Sequence, residues 1–181
     1  MSVSPASPVG HLSSQFIFNS RHGELEPPSF GFAVDLAEDP SAAHQLIKLG
    51  VSPRSDLPVV TLTDVGGKLR ALGCRLSKEE AEGLIQGRAF PTRHLRFFGA
   101  TWCPDCRRAR RLLEEISFDY EEIDLDTSDR WEALVLERSG GRRVVPTLDF
   151  DGRLFVFNPE LVLMRSLLES AAGLKEERGL E

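Results

Sequence analysis

Cysteine is scarce in this chain, with three in 181 residues, at Cys74, Cys103 and Cys106. So sparse and odd a set cannot staple a chain of this length, which excludes the disulfide-framework class of small secreted domains. Positive charge is also in short supply. The 22 lysines and arginines face 28 acidic residues, for a formal net charge of -6. No global field attracts nucleic acid or anionic lipid, so neither partner is expected. Long apolar runs are missing, since none approaches the roughly 20 residues of a membrane span. Met1 to Gly10 lack the basic start and apolar middle of a secretory leader, which predicts a cytoplasmic protein. The four histidines, His11, His22, His44 and His94, show no partner spacing and are read as ordinary surface or packing residues. What the chain does have is 41% hydrophobic residues, enough to bury a real core.

The pattern is most regular in the second half. Leu95-Arg96-Phe97-Phe98 reads as a strand, and Cys106, Ala109, Leu113 and Ile116 follow at helical spacing. Residues 120–125 form the next strand candidate. Residues 128–138 form a helix with Trp131, Leu134 and Val135 inward, ended by Gly140-Gly141. Val144 to Phe150 is again extended, turns at Asp151-Gly152 and returns through residues 153–156 as a hairpin. Asn158-Pro159 then starts a helix striped by Leu161, Leu163, Met164, Leu167 and Leu168. The order is β-α-β-α-β-β-α, that of a thioredoxin fold.

The first half carries a weaker copy. Val34-Asp35-Leu36 parallels Ile123-Asp124-Leu125, and Leu57-Pro58-Val59 parallels Val145-Pro146-Thr147, each pair separated by a helix. Gly66-Gly67 is the expected hairpin turn. Ser77, with Glu80 three residues on, caps the expected last helix to Ile85. The chemistry is missing: where the second half has its cysteines, the first has residues 20–29, whose Pro27-Pro28 breaks any long helix. The expected fold class is therefore α/β, with tandem thioredoxin-like units of central mixed sheet and flanking helices, the first degenerate. The expected divisions are a disordered tail at 1–13, a thioredoxin-like domain without the cysteine pair at 14–87, a linker at 88–93 and a catalytic domain at 94–181.

Two thiols three residues apart at a strand-to-helix junction can close a small disulfide ring. The first of them meets the helix amides and dipole, which favour a charged sulfur. Cys103 is thus the expected attacker, and Cys106, one turn into the helix, the resolver. Pro104 stiffens the turn, and Trp102 is placed to cover the edge of the site. Of the arginines at 107, 108, 110 and 111, those nearest the site favour a thiolate, whereas Arg110 and Arg111 are read as a solvated helix face. Asp105, between the cysteines, acts against the arginines. Pro146 is expected to be cis and opposite the cysteine pair, exposing Val145 for backbone pairing with a substrate. Competing readings remain open: the pair could be half a metal site completed by Cys74 or His94, although no second ligand pair exists. It could instead be the lock of a redox-regulated adaptor, or the anchor of a metal or iron-sulfur carrier. Cys74 alone is read as a packed thiol.

Residues 94 to about 170 resemble the glutaredoxins, and within them the mycoredoxin-like branch. The likeness rests on Thr101-Trp102-Cys103-Pro104-Asp105-Cys106, on residues 140–147 and on Asn158-Pro159. It implies an enzyme that reduces protein disulfides or mixed disulfides, with catalytic Cys103 and Cys106. Substrate contacts are then expected from Trp102, Pro104, Asp105, Val145, Pro146 and Thr147. No metal and no tightly bound cofactor are implied. Glutathione, mycothiol or bacillithiol would be the cosubstrate, and a thioredoxin-reductase-type flavoprotein a possible electron donor. Glutathione-binding members hold the γ-glutamyl end with a Gly-Gly-x-x-Asp-like turn before the last helix, where this chain reads Phe157-Asn158-Pro159-Glu160. The first half looks like thioredoxin-like appendages of flavin disulfide reductases, a likeness that implies docking rather than catalysis.

Overall fold

The computed structural model describes residues 9–22, 27–28 and 31–173. In the second half, β5 (Leu95–Gly99) pairs in parallel with β6 (Glu121–Asp124) and antiparallel with β7 (Thr147–Phe150). Strand β7 turns at Asp151 and Gly152, φ 55° and 68°, and pairs with β8 (Leu154–Phe157). Phe150 pairs with Leu154, so the loop holds three residues, and the Arg153 amide closes the turn by donating to the Phe150 carbonyl at 3.0 Å. Asp and Gly are the residues that take up positive φ at such turn positions most readily. In the first half, β1 (Ser13–Phe18) pairs in parallel with β2 (Phe32–Asp35) and antiparallel with β3 (Val59–Thr63), which pairs with β4 (Leu69–Cys74). The strand order β2-β1-β3-β4 of the first half is therefore repeated as β6-β5-β7-β8 in the second. Leu57-Pro58 and Val145-Pro146 are both cis, at matching places before β3 and β7.

The halves are not beads on a string. Strands β4 and β8 pair antiparallel, Leu72 with Phe155, so that one mixed eight-stranded sheet runs through the chain. Among the described residues five α-helices flank it: α1 (Ser41–Lys48), α2 (Lys78–Ile85), α3 (Pro104–Ile116), α4 (Asp129–Arg138) and α5 (Leu161–Ala172). Alternation along the strands divides the apolar side chains between the two faces. One face packs Phe16, Leu62, Phe97, Leu148 and Val156 against α2, α3 and α5. The other packs Ile17, Val59, Phe98 and Phe155 against α1 and α4. Each core draws on both halves. Arginines of the second half add polar ties: Arg138 donates to the carbonyls of Leu49 and Gly50, and Arg142 to that of Leu69 at 2.7 Å. Arg153 pairs with Glu80 at 2.5 Å.

Helix α2 begins with the expected capping box, in which Ser77 and Glu80 each bond the other's backbone amide. At the place where α3 stands in the second half, the described residues of the first half include one 3-10 turn, Ser20–His22. Residues 1–8 of the stretch read as a tail lie outside the described residues, whereas Val9 is buried and Leu12 packs on the core. The segment read as a linker runs along α5. Phe90 is buried, the Ala89 amide donates to Ser170 Oγ at 2.9 Å, and Ser166 Oγ donates to the Gly87 carbonyl at 2.7 Å. No helix among the described residues is long and apolar enough to cross a membrane.

Candidate active site

The site lies where β5 ends and α3 begins. Cys103 is the N-cap of α3, with Pro104 at the first helical position, where its missing amide leaves nothing unsatisfied. The Cys106 amide donates to Cys103 Sγ at 3.1 Å, so an orphan amide of the first turn is aimed at the sulfur. On its other side Cys103 Sγ approaches the Val145 carbonyl at 3.8 Å, which brings the residue before Pro146 against the thiol. Both cysteines are free thiols. Both are also buried, with Cys103 3% exposed and Cys106 0%, so bonding separates them more than access does. Burial pushes the Cys106 thiol up to about 12, with the hydrogen bond to Cys103 adding to it. At neutral pH Cys106 keeps its proton, which suits a resolving thiol rather than an attacking one.

Trp102 stands 60% exposed, and its indole N–H donates to Asp126 Oδ2 at 2.9 Å. Arg143 pairs with both Asp126 and Glu132, so a carboxylate–guanidinium chain fixes the indole at the rim. Asp105 is bonded to Arg108 on the helix surface. Thr147 is fully buried and spends its hydroxyl on the Val144 carbonyl at 2.8 Å, so its side chain serves the loop. The Asn158 amide donates to the Pro146 carbonyl at 2.7 Å and closes the loop from the far side. Arg110 corrects the reading of a solvated face. Its side chain is only 21% exposed, pairs with Glu122 at 2.6 Å and lies 5.5 Å from the Phe97 ring. Arg111 is exposed, as expected. Cys74 ends β4 in the opposite core from Cys103 and Cys106, across the sheet, and burial pushes its thiol up to about 11. Among the described residues no group of three or more histidine, cysteine or acidic side chains could hold a metal ion.

The site roles of Asp126, Arg143 and Asn158 went unread in the sequence because they come from partners 11 or more residues away or from backbone bonds. Arg143 and Asn158 stood out only as parts of the Gly-Gly-Arg-Arg stretch and of the Asn158-Pro159 helix start. Comparison with known proteins adds a name at this point, since residues 95–155 match the glutaredoxin family. Residues 95–155 form a glutaredoxin domain. Two curated glutaredoxins of Mycobacterium tuberculosis, from strains H37Rv and CDC 1551, are each 28% identical over 82 residues, 45% of this chain and 98% of theirs. Among solved structures, a buckwheat glutaredoxin in complex with glutathione is 24% identical over 47% of this chain and 69% of its own, with a TM-score of 0.32. A wheat glutaredoxin is 19% identical over 54% and 92%, with a TM-score of 0.36. The second half, which holds the glutaredoxin match, runs in the order β-α-β-α-β-β-α, and the first half adds four more strands to its sheet.

Proposed function

We propose that the protein is a dithiol oxidoreductase acting on protein disulfides or on mixed disulfides with a low-molecular-weight thiol. The observation that carries the reading is the Cys103 sulfur held between the Cys106 amide and the Val145 carbonyl at the start of α3. In the first step the Cys103 thiolate attacks one sulfur of the substrate. The substrate S–S bond breaks, a mixed disulfide forms, and the departing thiolate takes up a proton. Cys106 then loses its proton and attacks the Cys103 sulfur, which closes the Cys103–Cys106 disulfide and releases the second thiol. Two electrons have passed to the substrate. Two equivalents of a small thiol, or a reductase of the flavoprotein type, return them to the pair.

In this reading Trp102 and the Pro104-Asp105 turn flank the bound disulfide, and the backbone at Val145, Pro146 and Thr147 lines its other side. The chain as a whole is a tandem of two thioredoxin-like units, divided near residues 88–93, the first supplying sheet and surface but no thiol. The repeated strand order supports that division.

The test uses cysteine variants of the full chain. Cys103→Ser should abolish turnover of a mixed disulfide, because an alcohol does not replace a thiolate near neutral pH. Cys106→Ser should accumulate a covalent adduct on Cys103, visible by mass spectrometry. Turnover retained by Cys103→Ser would sink the mechanism, and an adduct missing from Cys106→Ser would remove the resolver.

A further inference from the structure

A small cavity of about 230 Å³ opens beside the cysteine turn, with Asp105, Arg108, Ala109, Pro146 and Glu160 in its wall. One of its walls comes from the first half of the chain. Arg70, on β4 of the first half, reaches across the β4–β8 seam and donates from Nη2 to the Asn158 carbonyl at 2.6 Å. That bond uses one of five guanidinium N–H donors and sets the direction of the rest.

The charges around the cavity are unevenly matched. Asp105 is bonded to Arg108, and Glu160 lies 3.5 Å from His11. Asp64, which feels the field of Arg70, already accepts the amides of Gly66 and Lys68. Arg70 has no carboxylate within ion-pair distance among the described residues, and it is half-buried, where a guanidinium attracts an anion more strongly than in open water.

We propose that Arg70 is a specificity-determining residue of the thiol-disulfide site, selecting disulfides that bear a carboxylate close to the sulfur. The inference rests on the oxidoreductase reading above. The volume falls below the roughly 300–1,000 Å³ of drug-sized sites and suits an amino-acid-sized end rather than a folded segment. Among low-molecular-weight thiols, the chemistry favours glutathione, whose glycine carboxylate is one residue from the cysteine, over bacillithiol, whose carboxylates lie beyond a sugar, and over mycothiol, which carries none. The first half thereby acquires a task in recognition without supplying a nucleophile.

The experiment compares two probes of the same shape, N,N′-diacetylcystine and its dimethyl ester, in single-turnover reactions with the reduced full-length protein. The acid should react with a second-order rate constant roughly tenfold above the ester, the size expected of one charge-assisted hydrogen bond. The preference should shrink as ionic strength rises. Arg70→Gln should bring the acid-to-ester ratio close to one, Arg70→Lys should keep part of it, and Arg54→Gln, away from the site, should keep all of it. Equal rates for acid and ester in the wild type, or a fall of both rates in Arg70→Gln at a constant ratio, would overturn the assignment while leaving the oxidoreductase reading intact. No reaction of either probe with the wild type would overturn both.

Discussion

Three thiols share one chain and differ in what surrounds each sulfur. All three are buried among apolar side chains, which disfavour charge, and Cys103 in addition accepts the Cys106 amide at the start of α3. For Cys106 the consequence is kinetic. With its thiol pushed up to about 12, the thiolate fraction near neutrality is small and grows about tenfold per pH unit. Burial, the largest cause of the shift, persists when Cys103 is tied up in a mixed disulfide, so the resolving step should accelerate from pH 7 to 9, which stopped-flow measurement on a preformed Cys103 mixed disulfide can follow. For Cys74 the consequence is stability. Its folded thiol titrates at about 11 against an ordinary 9.0, so the unfolded chain loses this proton first as pH rises. The contribution is complete below about pH 9 and is lost, on the order of 2 kcal/mol, as pH climbs through 11. Urea midpoints should fall less steeply over that range in Cys74→Ala than in the wild type, while disulfide turnover stays unchanged.

Short elements bring their own stability to the site's surroundings. The capping box at Ser77 anchors α2, which packs Ala81, Leu84 and Ile85 into the core that also holds Cys103 and Cys106. Ser77→Ala should cost about 1 kcal/mol in urea unfolding and leave the rate of disulfide attack alone, because the cap acts on the helix end rather than on the sulfur. The 3-10 turn at Ser20–His22 lies where a thioredoxin-like order places its first helix. In the sequence that follows, Pro27-Pro28 interrupts the run of backbone donors that a long helix needs. Helix α3 escapes that limit because its proline sits at the first helical position.

At the scale of the whole molecule, the β4–β8 seam turns two strand sets into one sheet with two continuous cores. A fragment of residues 94–181 keeps every cysteine of the site but uncovers β8 along an open edge and strips Phe16, Leu62 and Leu84 from its core. An exposed edge strand invites pairing with another copy. The fragment should self-associate on size-exclusion chromatography and unfold at lower urea than the full chain, and it should lose the carboxylate preference that Arg70 confers.

The order of the elements was legible in the residues because periodicity, capping and turn chemistry are local. The Cys-Pro-Asp-Cys turn, the Asp151-Gly152 hairpin and the Ser77 box each need only a few neighbours to be recognised. The proposed nucleophile and resolver were likewise read from two positions three apart at a helix start. What folding alone decided are the relations between distant residues. The seam between β4 and β8, the Asp126 and Arg143 hold on Trp102, and the reach of Arg70 to Asn158 join positions 17 to 88 apart in the chain. Even Arg110 belongs here, since it is buried by Glu122 and Phe97 from two other strands. Edge pairing and charge partners depend on which surfaces meet after the chain has collapsed, and a hydrophobic pattern carries no record of that meeting.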